Sequence, residues 1–289
     1  MKKRRIFNGI LLIICGAICY WLFLSHMLGY NDWYLLAHPE VETYVGVNVV
    51  SKFANFAFFT YITLLLFGTW CILFGFSLIF KENKFEKFFR KSSVISFIFT
   101  NYFITSIVYT IFEFTVTNGT FGLYSKTAPL ALHNFGTNII VHYVLFAVAC
   151  VIFSKVKSEK SNLKAWKIFV CDFLFLYYIV VKVTGELVYR VRWFPYVIFD
   201  AKSFAQMINV SYGVSVFLLV LIVALIVCVY LFFYTIFAKA KDKQREKELR
   251  KYVVFNKWYL KFINTFFNLI NEKNTKNKST RFECFFILF

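Results

Sequence analysis

Acidic residues are scarce in this chain: 15 Asp and Glu stand against 33 Lys and Arg, for a formal charge of +18 over 289 residues. That balance excludes polycationic partners and points to a polyanion, either nucleic acid or anionic lipid. Proline is down to Pro39, Pro129 and Pro195, all outside the long apolar runs, so none of those runs is broken by it. Cysteine is present at seven positions, but six fall inside apolar runs (Cys15, Cys19, Cys71, Cys150, Cys171 and Cys228) and Cys284 lies in the basic tail. With none in the connecting segments on the other side, an external disulfide framework is excluded. No pair has zinc-ligand spacing with a His nearby, so no metal or other cofactor is expected. The first 28 residues lack a small-x-small cleavage site, and their apolar stretch exceeds the usual core of about 7–15 residues. They read as an uncleaved first span.

What the chain has in abundance is hydrocarbon. Sixty per cent of residues are hydrophobic and 22% aromatic, with 40 Phe. Six apolar runs lie near 6–28, 53–80, 94–116, 137–154, 166–183 and 211–238. About 20 apolar residues cross a bilayer as a helix, because a helix satisfies its own backbone polar groups. The predicted fold class is therefore an all-α six-helix membrane bundle over 1–240, with a basic tail over 241–289.

Cations alternate across the runs. The N-terminus has Lys2, Lys3, Arg4 and Arg5, the 81–91 loop five, the stretch 155–167 five and the tail thirteen from 239 on. The intervening segments hold Lys52, then Lys126, then Arg190, Arg192 and Lys202. The positive-inside rule then places both termini in the cytoplasm of a cell-membrane protein. Cations gathered on that side meet anionic lipid, which is the expected partner; nucleic acid is not.

In the tail, Lys257, Lys261, Asn264 and Asn268 recur at helical spacing over 252–271. Phe255, Trp258, Tyr259, Phe262, Ile263, Phe266 and Phe267 fill the remaining face. Such a helix lies in a membrane surface or docks on the bundle. The apolar residues Phe285 to Phe289 have no account.

Ionisable groups inside spans are costly and so are candidates for function. At about 1.5 Å per residue, Thr60 lies ~10 Å, His142 ~8 Å and Glu113 ~5 Å below the outer surface, with Lys182 at the outer end of its run. Each has a local explanation. A Thr bonds back to its own helix, a Lys snorkels, a Glu reaches headgroups or pairs with Lys182, and a His bonds a neighbouring helix. Joined, they do more. A Thr hydroxyl becomes a nucleophile when an imidazole takes its proton, and the imidazole then protonates the leaving group. Thr60 and His142 are the pair, and Glu113 is the group that would orient the imidazole.

Three strings add a family likeness. Phe58-Phe59-Thr60-Tyr61-Ile62-Thr63 opens the second run, and Asn138-Ile139-Ile140-Val141-His142-Tyr143-Val144 enters the fourth. Val183-Thr184-Gly185 is followed by Trp193-Phe194-Pro195-Tyr196 and Phe199-Asp200. Together, over roughly 50–240, they resemble the six-span bacterial membrane family allied to the androgen-induced membrane hydrolases. The resemblance implies hydrolysis of fatty-acid esters with Thr60 and His142 in the active roles. A small amphiphilic substrate would sit beneath a cap contributed by Trp193, Pro195, Tyr196 and Asp200, with Lys182 nearby. The chain departs from the family at Phe146, where a Pro is usual. A rival class remains: a small transporter or lipid-binding protein in which Glu113, His142 and Lys182 hold a polar head or relay protons. A third is a structural component whose tail recruits cytoplasmic partners.

Overall fold

The computed structural model describes residues 2–29, 59–80, 83–115, 135–183 and 201–276. These are almost entirely helical: α1 Lys2–Gly29, α2 Phe59–Phe80, α3 Asn83–Phe89, α4 Ser92–Thr115, α5 Phe135–Lys155, α6 Leu163–Val183, α7 Ala201–Ile208 and α8 Tyr212–Lys276. Among the described residues there is no strand, only a bridge between Lys91 and Glu159. Five helices (α1, α2, α4, α5 and α8) are long and apolar enough to cross a membrane. The remaining long helix, α6, matches the fifth expected span but carries Lys164, Lys167, Asp172 and Lys182. Contacts divide the chain into Met1–Asp242 and Lys243–Phe289.

Within the first unit, α4 is the centre. Every residue from Ser92 to Tyr102 is buried, whichever way it points, as a helix surrounded by others requires. Aromatic side chains fill the seams around it. Phe67 of α2 meets Tyr102 edge-on, and Phe99 stacks on Phe153 of α5 at 4.2 Å. Phe97 packs against Trp166, Phe169 and Phe173 of α6, and Phe103 against Phe233 and Phe237 of α8.

The α1–α2 seam is built differently. Gly9 faces Gly75 and Gly16 faces Gly68, two pairs seven residues apart on each helix. A Cβ added at Gly75 would sit 2.6 Å from the Gly9 carbonyl oxygen, and one at Gly16 would sit 2.6 Å from that of Gly68. Lipid tails are as apolar as Phe, so helices in a bilayer associate through close packing and hydrogen bonds; glycine lets the backbones touch. Cys19 and Cys71 are buried in the core beside this approach, with Cys15 packed against it.

The basic ends of the helices are tied together. Arg5 pairs with Glu86 and donates to the carbonyls of Leu78 and Ser77 in the last turn of α2. Glu86 also pairs with Arg90 at 2.8 Å. Backbone bonds link Arg90 and Ser92 to Glu159. Lys241 of α8 is buried although it opens the basic tail. Its ammonium donates to the Val156 carbonyl at 2.8 Å and lies over the Phe153 ring, so it closes the end of α5.

Other helix ends follow local chemistry. Asn162 caps α6 by accepting from the N–H groups of Lys164 and Ala165. Asn209, at φ 54°, ends α7 in the left-handed region that Asn tolerates, and the Val210 N–H returns to the Ala205 carbonyl. Ser215 then bonds the Ala201 carbonyl, tying the first turn of α8 to α7.

In the second unit the tail is helical to Lys276. Trp258, Tyr259, Leu260 and Phe262 are exposed, and Trp258 stacks on Phe262 one turn on.

Candidate functional site

Polar side chains from three helices meet toward the ends of α2 and α5 that carry Thr60 and His142. On α4, Thr105, Tyr109 and Glu113 follow one another at four-residue steps, so they stand one above the next along the helix. Thr105 shares a hydrogen bond of 3.1 Å with Thr63 of α2, both buried. One turn on, Tyr109 lies flat against the His142 imidazole of α5, with ring centroids 3.6 Å apart and planes within 2°. Beside it, the hydroxyls of Thr110 and Tyr143 are 3.2 Å apart, and Thr110 also donates to the Ser106 carbonyl. A further turn along is Glu113, 1% exposed.

His142 is held by an irregular backbone. Residues Ile140–Val144 form a single π-helical turn within α5. Such a turn inserts one extra residue, opens the hydrogen-bond ladder locally and rotates the chain that follows by about a residue's worth of twist. Here it brings His142 inward, 4% exposed, with Val141 and Leu145 also buried. The imidazole is thus clamped by an aromatic ring in a setting with little water. A fixed orientation is what a general base needs.

His142 and Glu113 are buried and flank Tyr109 on facing helices. Thr60 is half-buried in the first turn of α2, one turn from Thr63, which meets α4. Phe59, its neighbour, packs edge-on against Tyr177 of α6. Lys182 lies in the last turn of α6, and its side chain is outside the described residues, as are Trp193, Pro195, Tyr196 and Asp200. Asp172 is exposed on α6 and takes no part in the cluster.

Tyr109, Thr110 and Tyr143 are the residues that sequence reasoning passed over. The signal for Tyr109 was the four-residue spacing Thr105–Tyr109–Glu113, which a count of ionisable groups does not register. Among the described residues no group of His, Cys, Asp and Glu is placed to hold a metal ion. Compared with protein-family models, curated proteins and solved structures, the chain matches none.

Proposed function

We propose that the chain is a cell-membrane protein that crosses six times with both termini in the cytoplasm, and that it hydrolyses fatty-acid esters with Thr60 as nucleophile and His142 as base. The Thr60 oxygen attacks the ester carbonyl carbon while His142 takes the hydroxyl proton. The carbonyl–oxygen bond breaks, and His142 returns that proton to the leaving alcohol. Water then releases the acyl group from Thr60 by the same exchange in reverse. Glu113, one turn beyond Tyr109 on α4, is the group that would orient the imidazole. The observation that carries this reading is the buried His142, held flat on Tyr109 by a π-turn.

The transport alternative needs a polar path along the bundle. The buried polar residues of α4 do extend from Ser92 to Glu113. Asp172 of α6, from which such a path would start, is however exposed and not among those buried groups, which favours a fixed site over a path. A lipid-like fluorophosphonate tests the choice. The wild type should become labelled and Thr60→Ala should not; equal labelling of the two sinks the hydrolase reading.

Six crossings are supported by the tied basic ends, where Arg5 and Arg90 share Glu86 and Lys241 bonds the Val156 carbonyl, and by the lysines of α6. Lys164 and Lys167 lie near one end of that helix and Lys182 near the other, where long side chains can snorkel. In intact cells Asn31→Cys, Asn118→Cys and Lys202→Cys should react with an impermeant thiol reagent. Asn83→Cys and Lys157→Cys should react only after permeabilisation. Labelling of Asn83→Cys from outside would overturn the orientation.

The tail is read as a membrane-surface helix that favours anionic lipid, because exposed Trp258, Tyr259 and Phe262 accompany Lys257 and Lys261. A peptide of residues 252–271 should become helical on anionic vesicles and come off as salt rises. A peptide that stays unordered there removes the surface reading.

A further inference from the structure

One face of α5 lies at the edge of the bundle: Val144, Ala147 and Val151 are exposed, while Tyr143 reaches Thr110 and Val148 and Ile152 pack against the core. Tyr143, Val144, Ala147, Val148, Val151 and Ile152 line a shallow open trough of about 560 Å³. Their spacing keeps them on one face, and they run about 13 Å along the helix axis. That is close to half the ~30 Å hydrocarbon thickness of a bilayer, the depth of one leaflet. At one end the Tyr143 hydroxyl is engaged by Thr110, so the trough stops on a ring whose polar atom is turned to α4. At the other end stands Lys155. It lies four residues after Val151 and three after Ile152, continues the same face, and is exposed. Lys157 and Lys160 follow, also exposed, and outweigh the exposed Glu159 between them.

We infer that this face binds one anionic phospholipid, with an acyl chain lying in the trough up to Tyr143 and the phosphate at Lys155. The inference is independent of the hydrolase reading, because a lipid held this way keeps its ester bonds at the Lys155 end, away from His142. Inside a bilayer the occupant of an aliphatic trough is hydrocarbon, and its length selects a chain of one leaflet. Charge selects the headgroup: three cations within six residues favour a net negative phosphate over a zwitterion whose own cation would face them. A second copy of the chain fits less well. A twofold axis along the membrane normal that seated this face on itself would bring two Lys155 side chains together, and like charges repel.

The test uses the full-length protein in bilayer nanodiscs of equal phosphatidylglycerol and phosphatidylcholine, released and weighed by native mass spectrometry. The wild type should retain one phosphatidylglycerol in preference to phosphatidylcholine. Lys155→Gln should reduce that preference about fivefold, the equivalent of about 1 kcal/mol for one surface cation. Ala147→Trp, which fills the trough, should lose the retained lipid whatever its headgroup. Lys257→Gln, on the tail, should leave the one-lipid retention unchanged. Equal retention of the two lipids by the wild type overturns the inference. So does an unchanged preference in Lys155→Gln, an exposed change that does not threaten folding. A dimer that Ala147→Trp splits would assign the face to a second copy and overturn it too.

Discussion

His142→Ala should lower ester turnover by about 10³-fold, within the usual range for losing a general acid–base group, while the protein still inserts and remains folded. Thr60→Ala should remove turnover and acyl-enzyme formation together, because no bond can form without the hydroxyl. In this reading Tyr109 is a positioning residue. Its ring holds the imidazole in one plane. Tyr109→Phe keeps that ring and should retain most activity. Tyr109→Ala frees His142 and should cost turnover with little change in substrate affinity, since the loss lies in orientation. Activity that survives His142→Ala at the wild-type level would end the hydrolase reading. Equal activity in Tyr109→Phe and Tyr109→Ala would leave the pair intact but deny the ring its clamping role.

Much of the architecture is legible from hydrophobic runs because span length and helix rise are both fixed quantities. α1, α2, α4, α5 and α8 follow from them directly, and α6 was legible as a helix despite its charges. The same residue count puts Thr60, Glu113 and His142 at similar expected depths. Azimuth was not legible. Which way a side chain points depends on an unbroken 3.6-residue period, and the π-turn over Ile140–Val144 breaks it beside the key histidine. No residue type in Ile140–Val144 announces that insertion.

The burial of Lys241 was not legible for another reason. A lysine in a charge-dense stretch is normally solvated, but here a free carbonyl at Val156 and the Phe153 ring give its ammonium a buried place. The ion cluster of Arg5, Glu86 and Arg90 joins residues over 70 positions apart in sequence, which no local pattern reveals. The α1–α2 seam was the nearest miss. Gly9 and Gly16, like Gly68 and Gly75, are seven residues apart, two helical turns, and that matched spacing was there to be noticed.

The seam also carries the largest expected effect on stability. Gly16→Leu and Gly75→Leu should each destabilise the bundle by about 3 kcal/mol, the upper end of overpacking costs. The magnitude follows from what the new side chain meets. At Gly16 the nearest atoms are the Gly68 carbonyl oxygen at 2.6 Å and the Ile72 side chain at 2.5 Å; at Gly75 they are the Gly9 carbonyl oxygen at 2.6 Å and the Ile13 side chain at 2.8 Å. A side chain can swing away, but a carbonyl in a helix cannot, so the helices must part. Parting them removes the close packing that holds two apolar helices together in lipid, where no hydrophobic force replaces it. Gly213→Leu on α8 is the control, because a Cβ there meets nothing within 4 Å. It should be neutral or slightly stabilising, since it only lowers the freedom of the unfolded chain. An SDS titration of the reconstituted protein measures all three. If Gly16→Leu and Gly75→Leu unfold at the same detergent fraction as Gly213→Leu, then α1 and α2 do not meet backbone to backbone.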